Sequence, residues 1–496
     1  MHILPKLALA VGASLMSLAA AVPALAQADP SAIIRIGSLY EPQNLDNTAG
    51  AGQGINEAFN DNVYEALFRL NDDGSVEPVL AADHTVSDDG LTHTFTLRDR
   101  VTFHSGDPLT AADVKHSIER VTAEDSKSSR KRSLATITGV EAPDDRTVVV
   151  TLSSRSISLP YNLSYVWIVN DAAQDISASE DGTGPYVLDN WKRGSAISLK
   201  AFDDYWGEAP KNGGAVFTYF TEAAALDNAL LTDALDIVTS IQSPDALAQF
   251  EDTDRYTISE GKSTVKEIMA YNDRVAPFDN VKVRKALARA IDKQKLLQAI
   301  WGDRGMVLGS FVPPTDPWYE DLTGVDPYDP ESAKALLAEA GLGDGFTFTL
   351  DTPNYDPHPI TAEFIKAELA RIGVTVNINI ITSNEWYTKI YQAHDFQATL
   401  QEHVNHRDIV FYGNPDFYWG YDNPEVTRLI EEAEQAETEA AQTEKLREAN
   451  RIIAEDAASN WLFLFPQIVI ADADVTGYPV NGLNSQFFLR DIQKTN

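Results

Sequence analysis

Residues 31–265 alternate between short strand-like and helix-like patterns of apolar and polar positions. The opening part predicts a strand over 33–39 and a helix over 55–68, where apolar residues recur every four positions. Between 71 and 184, short stretches with period-two alternation surround a single helix that begins at Thr110. This pattern predicts a small α+β unit, followed by a hairpin over 186–199.

The pattern changes from about residue 266, where helices and strands follow one another regularly. A strand over 346–350, a helix over 359–372 and a strand over 374–381 predict a βαβ unit, which implies a parallel sheet with a right-handed crossover. Another helix is predicted over 383–393. The nearly continuous apolar run 461–465 is typical of a strand covered on both faces. The chain as a whole is therefore predicted to be an α/β protein.

The first 26 residues have the pattern of a secretory signal peptide. Lys6 precedes an apolar run from Leu7 to Ala21, and Ala24-Leu25-Ala26 supplies a small-x-small cleavage site. A membrane anchor is the alternative, but the apolar run is shorter than the ~20 residues that a span needs. We expect cleavage after Ala26 and a periplasmic protein that does not span the membrane.

Charge and composition narrow the possible functions. The formal net charge is −35, from 74 acidic and 39 basic residues, so binding to nucleic acid or to an anionic membrane surface is not expected. The chain has no cysteine, which excludes disulfides, thiolate metal ligands and thiol nucleophiles.

Motifs for catalysis are lacking in the sequence, and we predict neither an enzyme nor a cofactor. No Gly-x-Ser-x-Gly elbow or His-Glu-x-x-His motif occurs. His403 and His406 could place two imidazoles together on a metal ion. A hydrogen-bonded loop pair is the favoured interpretation, so no metal ligand is predicted.

Three aromatic residues lie where an α/β protein often binds its ligand. Tyr40 follows the first strand, Trp386 begins the helix after strand 374–381, and Trp419 follows a Gly-Asn-Pro-Asp turn. Ligands bind beyond the carboxyl ends of strands in open α/β sheets. Ordinary packing in a core is the alternative for each of the three residues.

Several longer motifs resemble family 5 of the bacterial extracellular solute-binding proteins, the dipeptide-, oligopeptide- and nickel-binding receptors of ABC importers. The motifs are spread over nearly the whole chain after the signal peptide. They are Glu41-Pro42-Gln43-Asn44-Leu45-Asp46, Tyr64-Glu65-Ala66-Leu67, Phe103-His104-Ser105-Gly106-Asp107-Pro108-Leu109-Thr110, Gly182-Thr183-Gly184-Pro185-Tyr186, Tyr205-Trp206-Gly207 and Pro277-Phe278-Asp279-Asn280-Val281.

This resemblance implies a type II-like periplasmic binding protein fold, with two lobes around a hinge and a small extra α+β domain. Hinge closure would bury the ligand between the lobes. The implied boundaries are 31–70, 185–265 and 466–496 for lobe I, 71–184 for the extra domain, and 266–465 for lobe II.

The resemblance also implies where the ligand is held. Trp386 matches an aromatic residue that lines the pocket in peptide binders. The acidic residue that binds a peptide's α-ammonium would lie about ten residues after Phe396, where this chain has His406, with Asp408 two positions further. Residues 351–355 contain no Arg, so the carboxylate clamp of dipeptide binders is missing. The ligand-binding residues that we expect are Tyr40, Glu41, Trp386, His403, Asn405, His406, Arg407, Asp408 and Trp419.

The residues of the loop 401–408 do not determine the chemical class of the ligand. Asp408 and Arg407 could hold the amine and the carboxylate of a zwitterion, but the loop could equally hold a metal chelate or a polyhydroxylated solute. We expect a monomeric periplasmic receptor that delivers a peptide or a similar small amphipathic solute to an inner-membrane ABC permease. The alternatives are a nickel or other metal chelate, an opine or an oligosaccharide as ligand, and, more remotely, an exported hydrolase or a chaperone-like role.

Overall fold

The computed structural model describes residues 28–495, except 49–52, 129, 173–175, 177–179, 240, 242–243 and 484–485. The predicted signal peptide, residues 1–26, lies outside the described residues. Among the helices in the described part of the chain, none combines the length and apolar character that a membrane span requires.

The strands are numbered in chain order. They are β1 (Ile33–Ser38), β2 (Phe68–Leu70), β3 (Val76–Pro78), β4 (Ala81–Val86), β5 (Thr92–Leu97), β6 (Ile137–Asp144), β7 (Thr147–Leu152), β8 (Tyr186–Lys192), β9 (Ala196–Ala201), β10 (Gly214–Tyr219), β11 (Ile237–Val238), β12 (Tyr256–Gly261), β13 (Lys266–Tyr271), β14 (Met306–Val307), β15 (Thr347–Pro353), β16 (Thr375–Ile381), β17 (Ala398–His403), β18 (Ser459–Leu464), β19 (Gln467–Asp472), β20 (Val475–Thr476) and β21 (Gln493–Lys494).

The α-helices are numbered in the same way. They are α1 (Gln53–Phe59), α2 (Ala111–Thr122), α3 (Leu159–Leu163), α4 (Ala223–Leu231), α5 (Pro244–Leu247), α6 (Val281–Ala290), α7 (Lys293–Trp301), α8 (Pro330–Glu339), α9 (His358–Ala370), α10 (Ser383–Glu385), α11 (Pro424–Glu434) and α12 (Glu439–Glu455).

The seven-stranded sheet combines separate stretches of the chain in the order β12-β19-β11-β1-β10-β9-β8. β1 is parallel to β10 and to β11, whereas the other neighbours are antiparallel. We call the half of the molecule built on this sheet lobe I. The hairpin expected over 186–199 is confirmed as β8 and β9.

The six-stranded sheet has the order β14-β18-β13-β17-β15-β16, and we call the half built on it lobe II. β15 and β16 are parallel and joined by α9, which confirms the predicted βαβ unit. β17 is parallel to β15, and β13 is antiparallel to β17. The carboxyl ends of β15, β16 and β17 therefore lie at one edge of the sheet, beside the amino end of β13.

A third unit, the extra domain, has the four-stranded antiparallel sheet β4-β5-β7-β6 with α2 packed on it. Residues of β5 alternate between half-buried and buried positions, as its period-two pattern predicted. α2 begins with a capping box, since the Thr110 amide donates to the Asp113 carboxylate over 2.8 Å. The small α+β unit is thus confirmed, while the residue boundaries of the three units stay a prediction.

The chain passes between the two large sheets twice, and the two crossings are adjacent. One crossing runs from β12 to β13, and the other runs from β18 to β19 through Phe465 and Pro466. The Phe465 amide donates a hydrogen bond to the carbonyl of Val265 over 2.9 Å, which ties the two crossings together. Two short, antiparallel connections that lie side by side are suited to act as a hinge.

The predicted helices over 55–68 and 383–393 were wrong in part. α1 ends at Phe59, and Asp61 adopts a positive φ of 55°. The Asn62 side chain donates to the carbonyl of Phe487 over 2.8 Å, so pairing with a distant segment replaces continued helix. Beyond α10, the segment Trp386–Gln392 forms a π-helix, which periodicity alone does not distinguish from an α-helix.

Candidate functional site

A cavity of about 80 Å³ lies between lobe I and lobe II, next to the two crossings. Lobe I contributes Tyr40, Glu57 and Thr239, and lobe II contributes Trp301 and Glu402. The other lining residues are Ile241, Ser263, Val265, Val404, Phe465, Pro466, Gln467, Pro479, Asn481, Gly482, Gln486 and Phe487. The described lining thus includes two carboxylates and no Lys or Arg.

Glu57 gives the lobe I side of the cavity its acidic character. It is 5% exposed, and its carboxylate accepts hydrogen bonds from the hydroxyls of Ser38 and Thr239, the latter over 2.7 Å. Burial raises the pKa of Glu57 to about 7, although both hydrogen bonds oppose this shift. At neutral pH, a nearby cation would therefore favour the ionised form of Glu57.

Glu402 lies on the lobe II side, near the carboxyl end of β17. Its cross-strand partner in β13 is Glu267, which is fully buried. His358, also fully buried, begins α9 and places Nε2 3.4 Å from the Glu267 carboxylate. Burial raises the pKa of Glu402 to about 7 and that of Glu267 well above its ordinary value, while it lowers the pKa of His358 to about 4.

The opposite face of the same two strands carries a separate buried polar group. Lys266 Nζ donates to Asp408 Oδ1 over 3.0 Å and to the carbonyl of Asn405 over 2.9 Å. The side chains of Lys266 and Asp408 are 0% and 2% exposed. Asp408 thus has a cationic partner within the protein, and its position favours a structural role over contact with a ligand.

His403 lies on the same face of β13 and β17 as Lys266. Its Nε2 is 2.9 Å from the hydroxyl of Tyr418, and its ring meets Phe311 edge-on. Burial, with a smaller effect from Lys266, lowers the pKa of His403 to about 3, so the imidazole is neutral at physiological pH.

His406 and Arg407 connect lobe II with the extra domain. The carbonyl of His406 accepts a hydrogen bond from the Tyr161 hydroxyl over 3.0 Å, and Arg407 donates to the carbonyl of Gly74 over 3.1 Å. The His406 imidazole lies 3.0 Å from Asp316. Burial lowers the pKa of His406 to about 3. These contacts place both residues at an interface between domains, outside the lining of the cavity.

The predicted aromatic residues have different environments. Tyr40 lines the cavity and is half-buried. Trp386 is half-buried on lobe II and donates through Nε1 to Thr399 over 3.1 Å. Trp419 is 0% exposed and stacks on Tyr412 at 4.4 Å between ring centres, inside the lobe II core. Trp419 therefore offers no surface to the cavity in this conformation.

Glu41 supports the β8–β9 hairpin. Its Oε1 accepts hydrogen bonds from Trp191 Nε1 over 3.1 Å and from the Gly194 amide over 2.7 Å. Of the nine residues expected from the sequence, Tyr40 lines this cavity, and the other eight do not. The ligand role of each remains a prediction.

The sequence analysis did not identify Glu57, Glu267 or His358 as candidates. It placed Glu402 in the polar loop 401–408 without predicting that it binds the ligand. One signal was available for Glu267, because the strand Lys-Glu-Ile-Met-Ala-Tyr carries a charged pair at the start of an apolar run. A charged residue in a strand that reads as buried is informative. No comparable local pattern singles out Glu57 or His358.

The comparisons with known proteins agree with this architecture. Residues 75–405 match the model of the bacterial extracellular solute-binding proteins, family 5. The chain is also 31% identical over 390 residues to the glutathione-binding protein GsiB of Salmonella typhimurium, covering 75% of this chain and 73% of that protein. This chain belongs to family 5 of the extracellular solute-binding proteins. The resemblance suggested by the sequence motifs is thereby confirmed.

Solved structures of similar fold confirm the two-lobed type II periplasmic binding protein architecture. The periplasmic binding protein DppA of Helicobacter pylori, in complex with the peptide STSA, aligns with a TM-score of 0.78 and 21% identity, covering 94% of this chain and 98% of DppA. AgaA of A. tumefaciens R10, in complex with agropinic acid, aligns with a TM-score of 0.79 and 24% identity, covering 94% of this chain and 99% of AgaA. The same fold thus holds a peptide in DppA and agropinic acid in AgaA.

Proposed function

We propose that this chain is the periplasmic receptor of an ABC importer and that it captures a peptide, or a similar small amphipathic solute, bearing a protonated amino group. The solute would be held between the lobes and delivered to the inner-membrane permease after hinge closure. Export with cleavage after Ala26 is part of the proposal. N-terminal sequencing of the periplasmic protein is expected to begin at Gln27.

The observation that carries this proposal is the acidic cavity beside the hinge. Glu57 and Glu402 enter it from opposite lobes, and no Lys or Arg lines it among the described residues. An ammonium group would favour the ionised form of these buried carboxyls and form charge-assisted hydrogen bonds with them. Trp301 and Phe465 supply apolar surface for the rest of the solute. A peptide bound by its amino end has both an ammonium group and apolar side chains for these surfaces.

The resemblance to GsiB supports a small peptide as the ligand class, since glutathione is a tripeptide with a free amino group. The proposed boundaries are 31–70, 185–265 and 466–496 for lobe I, 71–184 for the extra domain and 266–465 for lobe II. The sheets support these boundaries, since the seven-stranded sheet draws its strands from the lobe I ranges and the six-stranded sheet from the lobe II range.

Native mass spectrometry of protein purified without refolding would identify a solute that is carried over from the cell. Calorimetry with that solute then tests the site. At pH 8, Glu57→Gln should weaken binding about 10- to 150-fold, from the loss of a charge-assisted hydrogen bond of roughly 1.5–3 kcal/mol.

Glu65→Gln is the matched control. Glu65 is also a buried glutamate whose pKa is raised by burial to about 7, but it accepts its hydrogen bonds from Thr183, Tyr205 and Trp206, outside the cavity. Equal affinities for the wild type and Glu57→Gln, or equal losses in both variants, would contradict the proposed site.

A further inference from the structure

Two glutamates lie directly opposite each other in the lobe II sheet. Glu267 of β13 pairs in register with Glu402 of the antiparallel strand β17. Side chains alternate along a strand, so both glutamates point to the face that α9 covers, together with Met269 and Leu400 of the same strands. Like charges at directly opposed positions destabilise a sheet. A positive charge between the two carboxylates would allow both to be ionised at the same time.

His358 completes the group from the amino end of α9. Its Nδ1 lies 3.2 Å from the carbonyl oxygen of Tyr355, which can only accept, so Nδ1 carries the proton of the neutral imidazole. The lone pair of Nε2 therefore faces Glu267 Oε2 at 3.4 Å. A backbone carbonyl that fixes the tautomer in this way is the usual support of a histidine that binds a metal.

The polar atoms of this group lack partners within the protein. In the described part of the chain, neither carboxylate oxygen of Glu267 nor Nε2 of His358 has a hydrogen-bond partner, and both side chains are fully buried. Lys266, the preceding residue of the same strand, is by contrast bonded to Asp408 and Asn405. Unsatisfied buried polar atoms are rare in native proteins, and several together suggest a bound ion.

We propose that Glu267, His358 and Glu402 bind a divalent transition-metal ion such as Zn²⁺, each through one atom. Their ligand atoms all lie within 4.8 Å of one another. Tetrahedral Zn²⁺ with bonds of about 2.1 Å separates its ligand atoms by roughly 3.4 Å, the distance between His358 Nε2 and Glu267 Oε2. An imidazole with carboxylates suits Zn²⁺, whereas Mg²⁺ and Ca²⁺ prefer oxygen ligands alone.

Three protein ligands leave the fourth position of a tetrahedral ion open. Glu402 also lines the cavity between the lobes, so the proposed ion would lie next to that cavity. With the ion in place, Glu402 is a metal ligand, and Glu57 remains the carboxylate available to an amino group. The inference thus goes beyond the proposed function and does not depend on the identity of the solute.

The test is a titration of Zn²⁺ into the exported protein after chelator treatment, without any solute. Calorimetry should show one saturable site per chain that Mg²⁺ in excess does not block. Glu267→Gln and His358→Gln should each weaken binding at least tenfold. Co²⁺ bound to the wild type should give the visible absorption bands of a tetrahedral site, and these should be lost in both variants.

Two controls separate this site from others on the protein. His116→Gln removes a histidine of α2 in the extra domain, and Glu65→Gln removes a buried carboxyl group outside the cavity. Both variants should bind Zn²⁺ within threefold of the wild type. Should Glu267→Gln or His358→Gln fail to fold, an anomalous difference map at the zinc edge of wild-type crystals would locate the ion without any variant.

Three results would overturn the inference: no saturable binding of Zn²⁺ to the wild type, unchanged affinity in folded Glu267→Gln and His358→Gln, or an anomalous peak elsewhere. The outcome is distinct from that of the proposed function. A protein that binds its solute but no Zn²⁺ contradicts only the metal site, and a protein that binds Zn²⁺ but no solute contradicts only the receptor role.

Discussion

Replacing Asp408 by Asn should destabilise the fold without a specific loss of affinity for the solute. Asp408 pairs with Lys266 at 3.0 Å, and both side chains are essentially excluded from water. Burial raises the pKa of Asp408 to about 6 despite the attraction of Lys266, so the carboxylate is ionised at pH 7.5. The substitution removes this charge and leaves the Lys266 ammonium with the Asn405 carbonyl and the ring of Phe311, 4.7 Å away.

Removing one partner of a buried ion pair typically costs about 3–5 kcal/mol, because the remaining charge is uncompensated. The two remaining contacts of Lys266 place our expectation near the lower end of this range, at about 3 kcal/mol. Urea unfolding at pH 7.5, followed by tryptophan fluorescence, measures the change in unfolding free energy.

The double variant Lys266→Met with Asp408→Asn serves as the control. It removes both charges, so it should recover most of the lost stability. Calorimetry at a temperature where all variants are folded should give solute affinities within threefold of the wild type. If Asp408→Asn unfolded like the wild type but bound an amine-bearing solute at least tenfold more weakly, Asp408 would be a ligand residue and our structural interpretation would be refuted.

Three further predictions concern other parts of the molecule. Burial alone would lower the pKa of His104, but Glu180 raises it above the ordinary value. The pair therefore stabilises the fold below about pH 6.5, and this contribution is lost as pH rises through the raised pKa. His104→Gln should flatten the dependence of urea midpoints on pH between 6 and 9. Glu434 accepts hydrogen bonds from two serines of the extra domain. Glu434→Ala should favour a more open form, with a larger radius of gyration without solute and severalfold weaker solute binding. Unchanged small-angle scattering would count against this prediction. Trp386→Ala should weaken binding by about 1–3 kcal/mol if Trp386 contacts the solute, and Trp386→Phe by less; wild-type affinity in Trp386→Ala would place the solute elsewhere.

Several elements of the fold were predictable from periodicity and local signals, whereas the two-lobed arrangement was implied by the resemblance to family 5. The βαβ unit around α9 and the capping box at Thr110 were both evident in the pattern of residues. The helix expected over 55–68 failed because Asn62 is bonded to Phe487, which lies more than 400 positions away in the chain. Contacts of this kind leave no local trace.

The candidate site was much less predictable. The sequence predicts ligand contacts from the polar loop 401–408, but the side chains of Asp408 and Arg407 are bonded to Lys266 and Gly74 of other elements. Glu57 reaches the cavity from a short helix, and Glu267 meets Glu402 only through the register of two strands far apart in sequence. Which buried charges are paired, and which face a cavity, depends on the assembled sheets.

The most direct test of the receptor account is a crystal structure of the protein with the solute that it carries from the cell. The account predicts electron density in the cavity between Glu57 and Trp301, with an amino nitrogen within about 3.2 Å of a Glu57 carboxylate oxygen. Solute density away from this cavity, or an acidic group of the solute facing Glu57, would contradict it.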